Sequence, residues 1–396
     1  MDLPLLVLKK GEERRLRAGH LWVYGNEVDA DETPLHSFAP GQPVLVRAKA
    51  GTPLGTAYVN PHTLICARLV SGDPEEPFGR PLIVRRLQQA LGLRERLFPD
   101  PYYRLVYGEG DFLPGLIVDR YGGVLVVQLN TAGMERAETE VIDALMEVVA
   151  PGVILLRNDS PARRIEGLDT HVRTASGVVP EEVALTEHGA RFEVPIACGQ
   201  KTGWYYDHRE NRERMLRYAA GARVLDAFSY LGAWGIEAAV AGAERVVCIE
   251  SSPIAAAGIG RHAAINRVAD RVEVVQADVF DTLKSFDRSG ARFDLVVLDP
   301  PAFIKRRKDL EEGSLAYRRL NLLAMTLLTA GGTLVSSSCS SHFAPEQFLD
   351  ALRRAARRLD RDLQVVAQGH QSPDHPVHPA IPETNYLKTL FCRVLR

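Results

Sequence analysis

The chain has 396 residues, 46% of them hydrophobic, and a formal net charge of −2 at pH 7. This length predicts two or three domains with their own cores, and the near-zero charge excludes binding of nucleic acid by bulk attraction alone. No apolar run approaches the roughly 18 residues that span a bilayer, and no basic and apolar leader follows Met1. We therefore expect a cytoplasmic protein with no membrane partner. The five cysteines form no C-x-x-C pair, which predicts neither a disulfide framework nor a metal site.

Residues 1–75 alternate short apolar runs with glycine and proline, a pattern typical of a small β-barrel. A charged stretch ending at Gly19 precedes Gly-His-Leu-Trp-Val-Tyr, and this order resembles the PUA domain, an RNA-binding module. That resemblance implies an RNA contact through the basic residues of the stretch, which are Arg14, Arg15 and Arg17. Trp22 and Tyr24 are interpreted as barrel core in preference to base-stacking side chains.

Residues 80–182 predict a small central α+β domain after a polar linker that contains three prolines. The expected order is a helix over 82–97, strands over 103–107, 115–119 and 124–129, a helix over 134–149 and a strand over 153–157. The charged residues of this region are interpreted as structural in preference to substrate contacts; they are Glu109, Asp111, Arg120 and Arg163.

Residues 183–396 predict an α/β domain. A hairpin over 183–195 leads into a polar, glycine-flanked loop at 199–209 that is placed to close over a ligand. From Arg223 onward strands and helices alternate, among them a helix over 317–328, and a final strand pair follows a long loop rich in Pro and His. This order predicts a Rossmann-like, doubly wound sheet of seven strands with a reversed last strand, as in the class I methyltransferase arrangement.

The stretch from Arg223 to Glu250 reads as strand, small-residue turn, helix and strand, which is half of a nucleotide-binding unit. Gly232 and Gly235 allow close approach of the backbone, and the acid at the second strand's end can accept hydrogen bonds from a ribose diol. No G-x-G-x-x-G or phosphate-binding loop is present. A cofactor with ribose and adenine but no phosphate therefore fits best, and S-adenosylmethionine is the common one.

Four acids follow successive strands of this predicted sheet: Asp226, Glu250, Asp278 and Asp299. Ligands of open α/β sheets bind beyond the carboxyl ends of the strands. We expect Asp226 to face the amino acid end of the cofactor, Glu250 the ribose and Asp278 the adenine amine.

Asp299-Pro-Pro ends the fourth strand of the domain, and Ser-Cys339-Ser ends the fifth. Neighbouring strands would bring Cys339 and Asp299 into one pocket, and a thiol beside a carboxylate there favours covalent chemistry. Cys198 is the rival nucleophile. The remaining three cysteines lie within apolar strand runs and are interpreted as core residues: Cys66, Cys248 and Cys392.

Five motifs occur together: the barrel start at Gly19, Lys201-Thr-Gly-Trp-Tyr-Tyr-Asp207, Phe228-Ser-Tyr-Leu-Gly232, Asp299-Pro-Pro and Ser-Cys339-Ser. This combination resembles the bacterial family of large-subunit (23S) ribosomal RNA cytosine-5 methyltransferases with an N-terminal PUA domain. The resemblance implies that Cys339 is the nucleophile, assisted by Asp299, and that ribosomal RNA is the partner. The expected cofactor contacts, besides the four acids, are Lys201, Thr202, Tyr205, Phe228, Ser229, Gly232, Ser251 and Val279.

Further RNA contacts are expected from Phe303, Lys305 and Arg306, which follow Asp299-Pro-Pro. The chain departs from the family pattern at Tyr206, His208, Leu231 and Trp234. Two alternatives stay open: methylation of a purine nitrogen through the Asp-Pro-Pro loop, and an RNA-binding assembly factor without turnover. The sequence also leaves open whether the protein forms a homodimer, and it identifies no base for the carbon 5 proton.

Overall fold

The computed structural model describes residues 3–396, which form two compact units. The first comprises the chain up to Val183 together with Val194–Tyr206 and Pro373–Thr384. The second comprises Ala184–Glu193, Asp207–Ser372 and Asn385–Arg396. Two segments from within residues 183–396 thus belong to the first unit. None of the helices within residues 3–396 has both the length and the apolar character needed to cross a membrane.

The first unit begins with a five-stranded sheet of order β1-β3-β4-β5-β2. Its strands are β1 (Leu5–Val7), β2 (Trp22–Tyr24), β3 (Gln42–Arg47), β4 (Pro53–Val59) and β5 (Ile65–Ser71). A short helix α1 (Arg14–Arg17) separates β1 from β2. The strands β1 and β3 run parallel and the other pairs antiparallel, around an apolar core that includes Val23, Val44 and Cys66.

The second sheet of this unit has the order β10-β9-β8-β7-β6. Its strands are β6 (Tyr102–Tyr107), β7 (Leu116–Tyr121), β8 (Val124–Leu129), β9 (Val153–Asn158) and β10 (His171–Ser176). The helices are α2 (Arg80–Leu97), α3 (Ala132–Arg136), α4 (Glu138–Val148) and α5 (Pro161–Ile165). Leu82, Ile83 and Leu87 of α2 share one core with Val141 and Leu145 of α4, as the helical spacing of these residues requires.

The second unit contains a hairpin of β11 (Val183–Glu187) and β12 (Ala190–Val194) and a seven-stranded sheet of order β15-β14-β13-β16-β17-β19-β18. The sheet strands are β13 (Arg223–Ala227), β14 (Arg245–Glu250), β15 (Val272–Gln276), β16 (Phe293–Leu298), β17 (Leu328–Ser338), β18 (Asp362–Gly369) and β19 (Lys388–Leu395). Only β19 pairs antiparallel with its neighbours. Central strands such as β16 are buried along nearly their whole length, because helices cover both faces of a parallel sheet.

The helices of the second unit are α6 (Arg209–Met215), α7 (Ala233–Val240), α8 (Pro253–Ile265), α9 (Val279–Ser289), α10 (Leu310–Thr326) and α11 (Pro345–Arg358). Local capping fixes where two of them begin. Ser252 accepts a hydrogen bond from Ala255 N at the start of α8, with Pro253 in the first turn, and Asp278 caps α9. These caps set the positions at which the chain leaves β14 and β15.

The predicted fold class is confirmed, including the reversed last strand. Several elements differ from the sequence expectation. Helix α5 was not predicted, and the helix predicted over 134–149 is divided into α3 and α4. Strand β10 was not predicted, and its outer residues are mostly exposed, as in a strand at a sheet edge. Helix α10 begins at Leu310, whereas the apolar periodicity predicted a start at Tyr317, because its first two turns are polar and only half-buried.

Candidate active site at the carboxyl edge of the seven-stranded sheet

A strained turn connects β13 to α7. Phe228 and Tyr230 adopt positive φ angles of 65° and 50°, which non-glycine residues rarely do, and Gly232 follows with φ 80°. Only glycine fits at position 235, because a Cβ there would lie 2.5 Å from Cys248 Sγ and 3.2 Å from Asp226 Oδ2. The turn therefore keeps its backbone close to the strand ends, and glycine at 235 serves helix-to-strand packing.

Asp226 lies at the end of β13 and is fully buried. Its Oδ2 accepts a hydrogen bond from Gly235 N at 3.0 Å, while Oδ1 has no hydrogen-bond partner among the described residues. Burial raises the pKa of this carboxyl to about 7, and the nearby acids Asp299 and Glu250 act in the same direction. A ligand group that is cationic or donates a hydrogen bond would supply the partner that this buried oxygen lacks.

Glu250 ends β14 and is also buried. Its Oε2 accepts from Tyr230 N at 2.8 Å, and its Oε1 accepts from Ser252 N at 2.8 Å. Two backbone donors thus hold the carboxylate in one orientation, and each oxygen keeps a lone pair for a further donor. A ribose diol is a ligand that presents two such donors.

The other predicted cofactor residues of this unit lie at the same edge. Asp278 follows β15, and its Oδ1 accepts from Asp281 N at 3.0 Å as the cap of α9, next to buried Val279. Ser229 donates through Oγ to Asp226 O at 2.8 Å, and Ser251 Oγ lies 3.5 Å from Glu250 Oε1. The parallel strands thus bring the predicted acids to one edge, as the strand order requires.

Asp299 follows β16 and accepts hydrogen bonds at both carboxylate oxygens. His208 Nε2 lies 3.1 Å from Oδ1, and Trp234 Nε1 donates to Oδ2 at 3.1 Å. Burial alone would raise the pKa of Asp299, but the charge and hydrogen bond of His208, with the bond from Trp234, hold it below its usual value. Asp299 is therefore an oriented, ionised acceptor.

Cys339 follows β17, and its half-buried thiol lies at the same edge as Asp299. Its Sγ lies 4.0 Å from Pro300 O, in the Asp-Pro-Pro loop. The next residue, Ser340, anchors this position: its Oγ accepts from Ile304 N at 3.2 Å and lies 3.0 Å from Tyr317 Oη. Lys388 Nζ donates to Ser340 O at 2.7 Å. Cys339 therefore contacts the Asp-Pro-Pro loop, and a shared pocket of Cys339 and Asp299 stays a prediction.

The other cysteines lie in different surroundings. Cys66, Cys248 and Cys392 are fully buried, as predicted, and burial raises the pKa of Cys66 and of Cys392 to about 12. Cys198 is exposed and belongs to the first unit. Cys248 Sγ lies 4.0 Å from Asp226 Oδ2 but is fully buried within β14, whereas the half-buried Cys339 follows the end of β17.

The predicted cofactor loop belongs to the first unit, in which it has its own contacts. Thr202 is buried, and its Oγ1 donates to Asp119 Oδ2. Lys201 is exposed with a φ of 48°, and its Nζ lies 4.1 Å from the ring centroid of Tyr205. The role of these three residues toward the cofactor stays a prediction.

The predicted RNA contacts differ in exposure. Arg14 and Arg17 are exposed, whereas Arg15 is bound to Glu27 at 2.7 Å and lies over the Tyr24 ring at 4.7 Å. Trp22 Nε1 donates to Glu109 at 2.9 Å. The interpretation of Trp22 and Tyr24 as barrel core is wrong, because both are only partly buried and the core residue of β2 is Val23 between them.

On the second unit, Lys305 and Arg306 are exposed, and Arg306 lies 3.4 Å from Asp309. Phe303 is half-buried, with its ring centroid 4.8 Å from that of Tyr317. A base that stacks on Phe303 would therefore have to use the part of the ring that Tyr317 leaves exposed.

Sequence reasoning did not assign functional roles to His208, Trp234 and Lys388. The first two were noted only as departures from a family pattern, and both donate to Asp299. Lys388 is brought beside Cys339 by the antiparallel pairing of Ser338 with Lys388. A polar residue at the start of the last strand was the available signal, but its register with β17 is not readable from sequence.

Glu187, His188 and Glu237 form the one cluster of metal-ligand type within residues 3–396. Arg212, however, is bonded to both carboxylates, and Arg209 to Glu187. His188 Nδ1 lies 2.8 Å from Glu237 Oε2. Arginine charge thus fills the position that a cation would occupy, and the cluster is a buried ion network between the hairpin and α6 and α7.

The edge residues fit S-adenosylmethionine, which combines a ribose diol with an amino acid ammonium and a cationic sulfur. Glu250 offers oriented acceptors for the diol, and the unpaired Asp226 Oδ1 lies at an edge lined by acids. No phosphate-binding loop is needed for such a ligand. Fold and edge together define a class I S-adenosylmethionine-dependent methyltransferase.

Comparisons with known proteins agree with this class. Residues 6–72 match the family described as a PUA-like domain, and residues 111–393 match the family described as S-adenosylmethionine-dependent methyltransferase. The chain is similar to a protein assigned as a methyltransferase and solved with SAH, with a TM-score of 0.84, 21% identity and coverage of 99% of this chain and 100% of that one. At that identity the likeness concerns the fold.

Full-length relatives are named "Ribosomal RNA large subunit methyltransferase I". The Cronobacter sakazakii protein is 35% identical over 395 residues, covering 98% of this chain and 99% of the relative. The Vibrio cholerae protein is 35% identical over 400 residues, covering 99% and 100%. The chain belongs to this family of S-adenosylmethionine-dependent methyltransferases.

Proposed function

We propose that this protein methylates large-subunit ribosomal RNA, and that the acceptor is carbon 5 of a cytosine, reached through a covalent adduct with Cys339. The relatives' shared name supports the RNA class. The thiol beside the Asp-Pro-Pro loop at the acidic strand edge is the observation that carries the chemistry.

The chemistry requires a nucleophile because carbon 5 of cytosine is too electron-poor to attack a methyl donor directly. Addition of the Cys339 thiolate to carbon 6 forms an S–C bond and moves electron density to carbon 5. S-adenosylmethionine supplies an electrophilic methyl group when bound. A base then removes the carbon 5 proton, the S–C bond breaks, and the thiolate leaves.

Asp299 binds the base in this proposal. Because His208 and Trp234 hold it ionised, it accepts a hydrogen bond from the cytosine amino group and cannot itself donate to N3. An acceptor fixed before the reaction orients the base through its amino group, so that carbon 6 faces the thiolate. The target must be single-stranded or flipped, at a cost of a few kcal/mol.

The proposed division of labour assigns RNA affinity to residues 1–75, with support from 80–182, and chemistry to 183–396. The match of residues 6–72 to a PUA-like domain supports the first assignment. Exposed Lys305 and Arg306 near the Asp-Pro-Pro loop would contact the RNA backbone close to the target.

Methylation of a purine nitrogen is the second candidate, because Asp299-Pro-Pro supplies an acceptor for an exocyclic amine without any role for Cys339. The two candidates differ in product and in their need for the thiol. A transcript of large-subunit ribosomal RNA is incubated with methyl-labelled S-adenosylmethionine and digested to nucleosides. We expect 5-methylcytidine as the labelled product.

The same assay on Cys339→Ala is the matched control. Loss of a covalent nucleophile should lower turnover by about 10⁴-fold or more while cofactor affinity is kept. A labelled purine, or full activity in Cys339→Ala, would favour the second candidate. Absence of any labelled nucleoside, with cofactor bound, would favour an assembly factor without turnover.

A further inference from the structure

Lys388 is a half-buried cation beside the proposed nucleophile. It begins β19, in direct register with Ser338 of β17, the residue before Cys339. Its Nζ donates to Ser340 O at 2.7 Å, on the other side of Cys339. The side chain therefore spans the backbone turn that carries the thiol.

No carboxylate within residues 3–396 lies within 4.0 Å of Lys388 Nζ, so the amine has no ordinary counter-charge. Burial lowers the pKa of Lys388 to about 8, and a negative charge on Cys339 opposes that effect. Lysines in such surroundings exchange protons near neutral pH.

Other ionisable groups border this pair from several elements. Tyr317 of α10 contacts Ser340, and burial raises the pKa of its phenol, so it stays neutral. Asp299 after β16 is held by His208, and Tyr386 before β19 donates to Asp207 at 2.5 Å. Each of these side chains has its own hydrogen-bond partner. Lys388 is the amine that the strand register places next to the residue before Cys339.

We propose that Lys388 accepts the proton of the Cys339 thiol and, as an ammonium, stabilises the thiolate that attacks carbon 6. This inference rests on the proposed function. The S–H bond breaks and an N–H bond forms on Nζ, so that charge is redistributed within the pair. When the thiolate leaves at the end of the cycle, it again faces the ammonium. The proton of carbon 5 goes to a different base and is the proton that the net reaction releases.

The test measures the thiol itself, without RNA or activity. Iodoacetamide alkylation of Cys339 is followed by peptide mass spectrometry across pH 6 to 10 in the full-length protein. Exposed Cys198 is the internal reference. Lys388→Met should slow alkylation of Cys339 at pH 7 by about tenfold. An adjacent cation favours the thiolate, which is the form that reacts, and its removal lowers the thiolate fraction. The two proteins should converge near pH 10, and Cys198 should be unchanged.

Two variants separate charge from packing. Lys388→Arg keeps a cation and should restore most of the reactivity at pH 7. Lys284→Met removes an exposed lysine that pairs with Asp281 and should have no effect. Equal alkylation of Cys339 in wild type and Lys388→Met at pH 7 would overturn the proposal, as would slowing that persists unchanged at pH 10.

Failure of the proposed function gives a different result. If Cys339 were not the nucleophile, Lys388→Met would still slow its alkylation, while methylation of RNA would continue. That outcome supports the pairing of Lys388 with the thiol and rejects the covalent mechanism.

Discussion

Charged side chains are paired differently in the first unit and at the strand edge of the second. In the first unit, arginines are matched by carboxylates in closed pairs, as the buried Arg94 is by Asp111 and the partly buried Arg104 is by Asp119. At the strand edge of the second unit, acids are held by backbone and ring donors and retain unfilled acceptor capacity, most clearly at Asp226. Internal pairing of charge indicates structure, whereas oriented but incompletely paired charge indicates a ligand site.

Breaking a closed pair should have the largest effect on stability. Arg94 is fully buried, and two of its nitrogens bind Asp111 at 2.5 and 2.7 Å. Arg94→Met leaves that carboxylate uncompensated and should lower the free energy of unfolding by about 3 to 5 kcal/mol. Urea denaturation measures the change.

Arg80 provides the control on the same helix. Its pair with Glu147 is about half exposed, so Arg80→Met should cost about 1 kcal/mol or less. If Arg94→Met lowers the free energy of unfolding no more than Arg80→Met does, burial does not make the Arg94 pair more important for stability.

Removing Glu250 of the strand edge should weaken ligand binding, and it should also lower stability because Tyr230 N and Ser252 N lose their acceptor. Glu250→Ala deletes charge-assisted hydrogen bonds to the cofactor, each worth about 1.5 to 3 kcal/mol, which is roughly a 10- to 150-fold loss of affinity. Calorimetric titration with S-adenosylmethionine gives the value. Glu273→Gln, an exposed acid on β15, is the control and should bind normally. Unchanged affinity in a folded Glu250→Ala protein would reject this placement of the ribose.

A smaller, pH-dependent effect is expected at Asp299. The Trp234 bond favours the ionised carboxylate, so Trp234→Phe should raise the pKa of Asp299 toward its ordinary value. Asp299 must be ionised to accept from the base, and the acid limb of kcat/KM for methylation should therefore move to higher pH. Trp22→Phe removes an indole donor in the first unit and should leave that limb in place. An unmoved limb in Trp234→Phe would contradict the role of Asp299.

The smallest effects concern exposed cations of the first unit that have no part in closed pairs. Arg14→Ala and Arg17→Ala should each weaken RNA binding and lower the slope of log affinity against log salt by about 0.7 to 0.9 per lost phosphate contact. Arg173→Ala, on β10, is the control for loss of one exposed charge. If all three variants keep the wild-type slope, another surface holds the RNA.

The sequence predicted most of what local pattern determines. Alternating strands and helices specified the sheet, and the position of acids after strands located Asp226 and Glu250. What it missed depends on register and on distant pairing: Lys388 reaches the thiol only through the alignment of β17 with β19, and His208 reaches Asp299 from a separate segment. The early start of α10 had a signal in Glu311 and Glu312 of its first turn, which apolar periodicity ignores.

The proposed function depends on the addition of Cys339 to carbon 6 of a cytosine. Large-subunit ribosomal RNA containing 5-fluorocytidine tests it most directly, because fluorine at carbon 5 cannot leave as a proton and the adduct persists. With S-adenosylmethionine present, we expect a denaturant-resistant complex of protein and RNA whose crosslinked peptide contains Cys339, and no such complex with Cys339→Ala. A crosslink that maps to Cys198, or normal trapping by Cys339→Ala, would contradict the account.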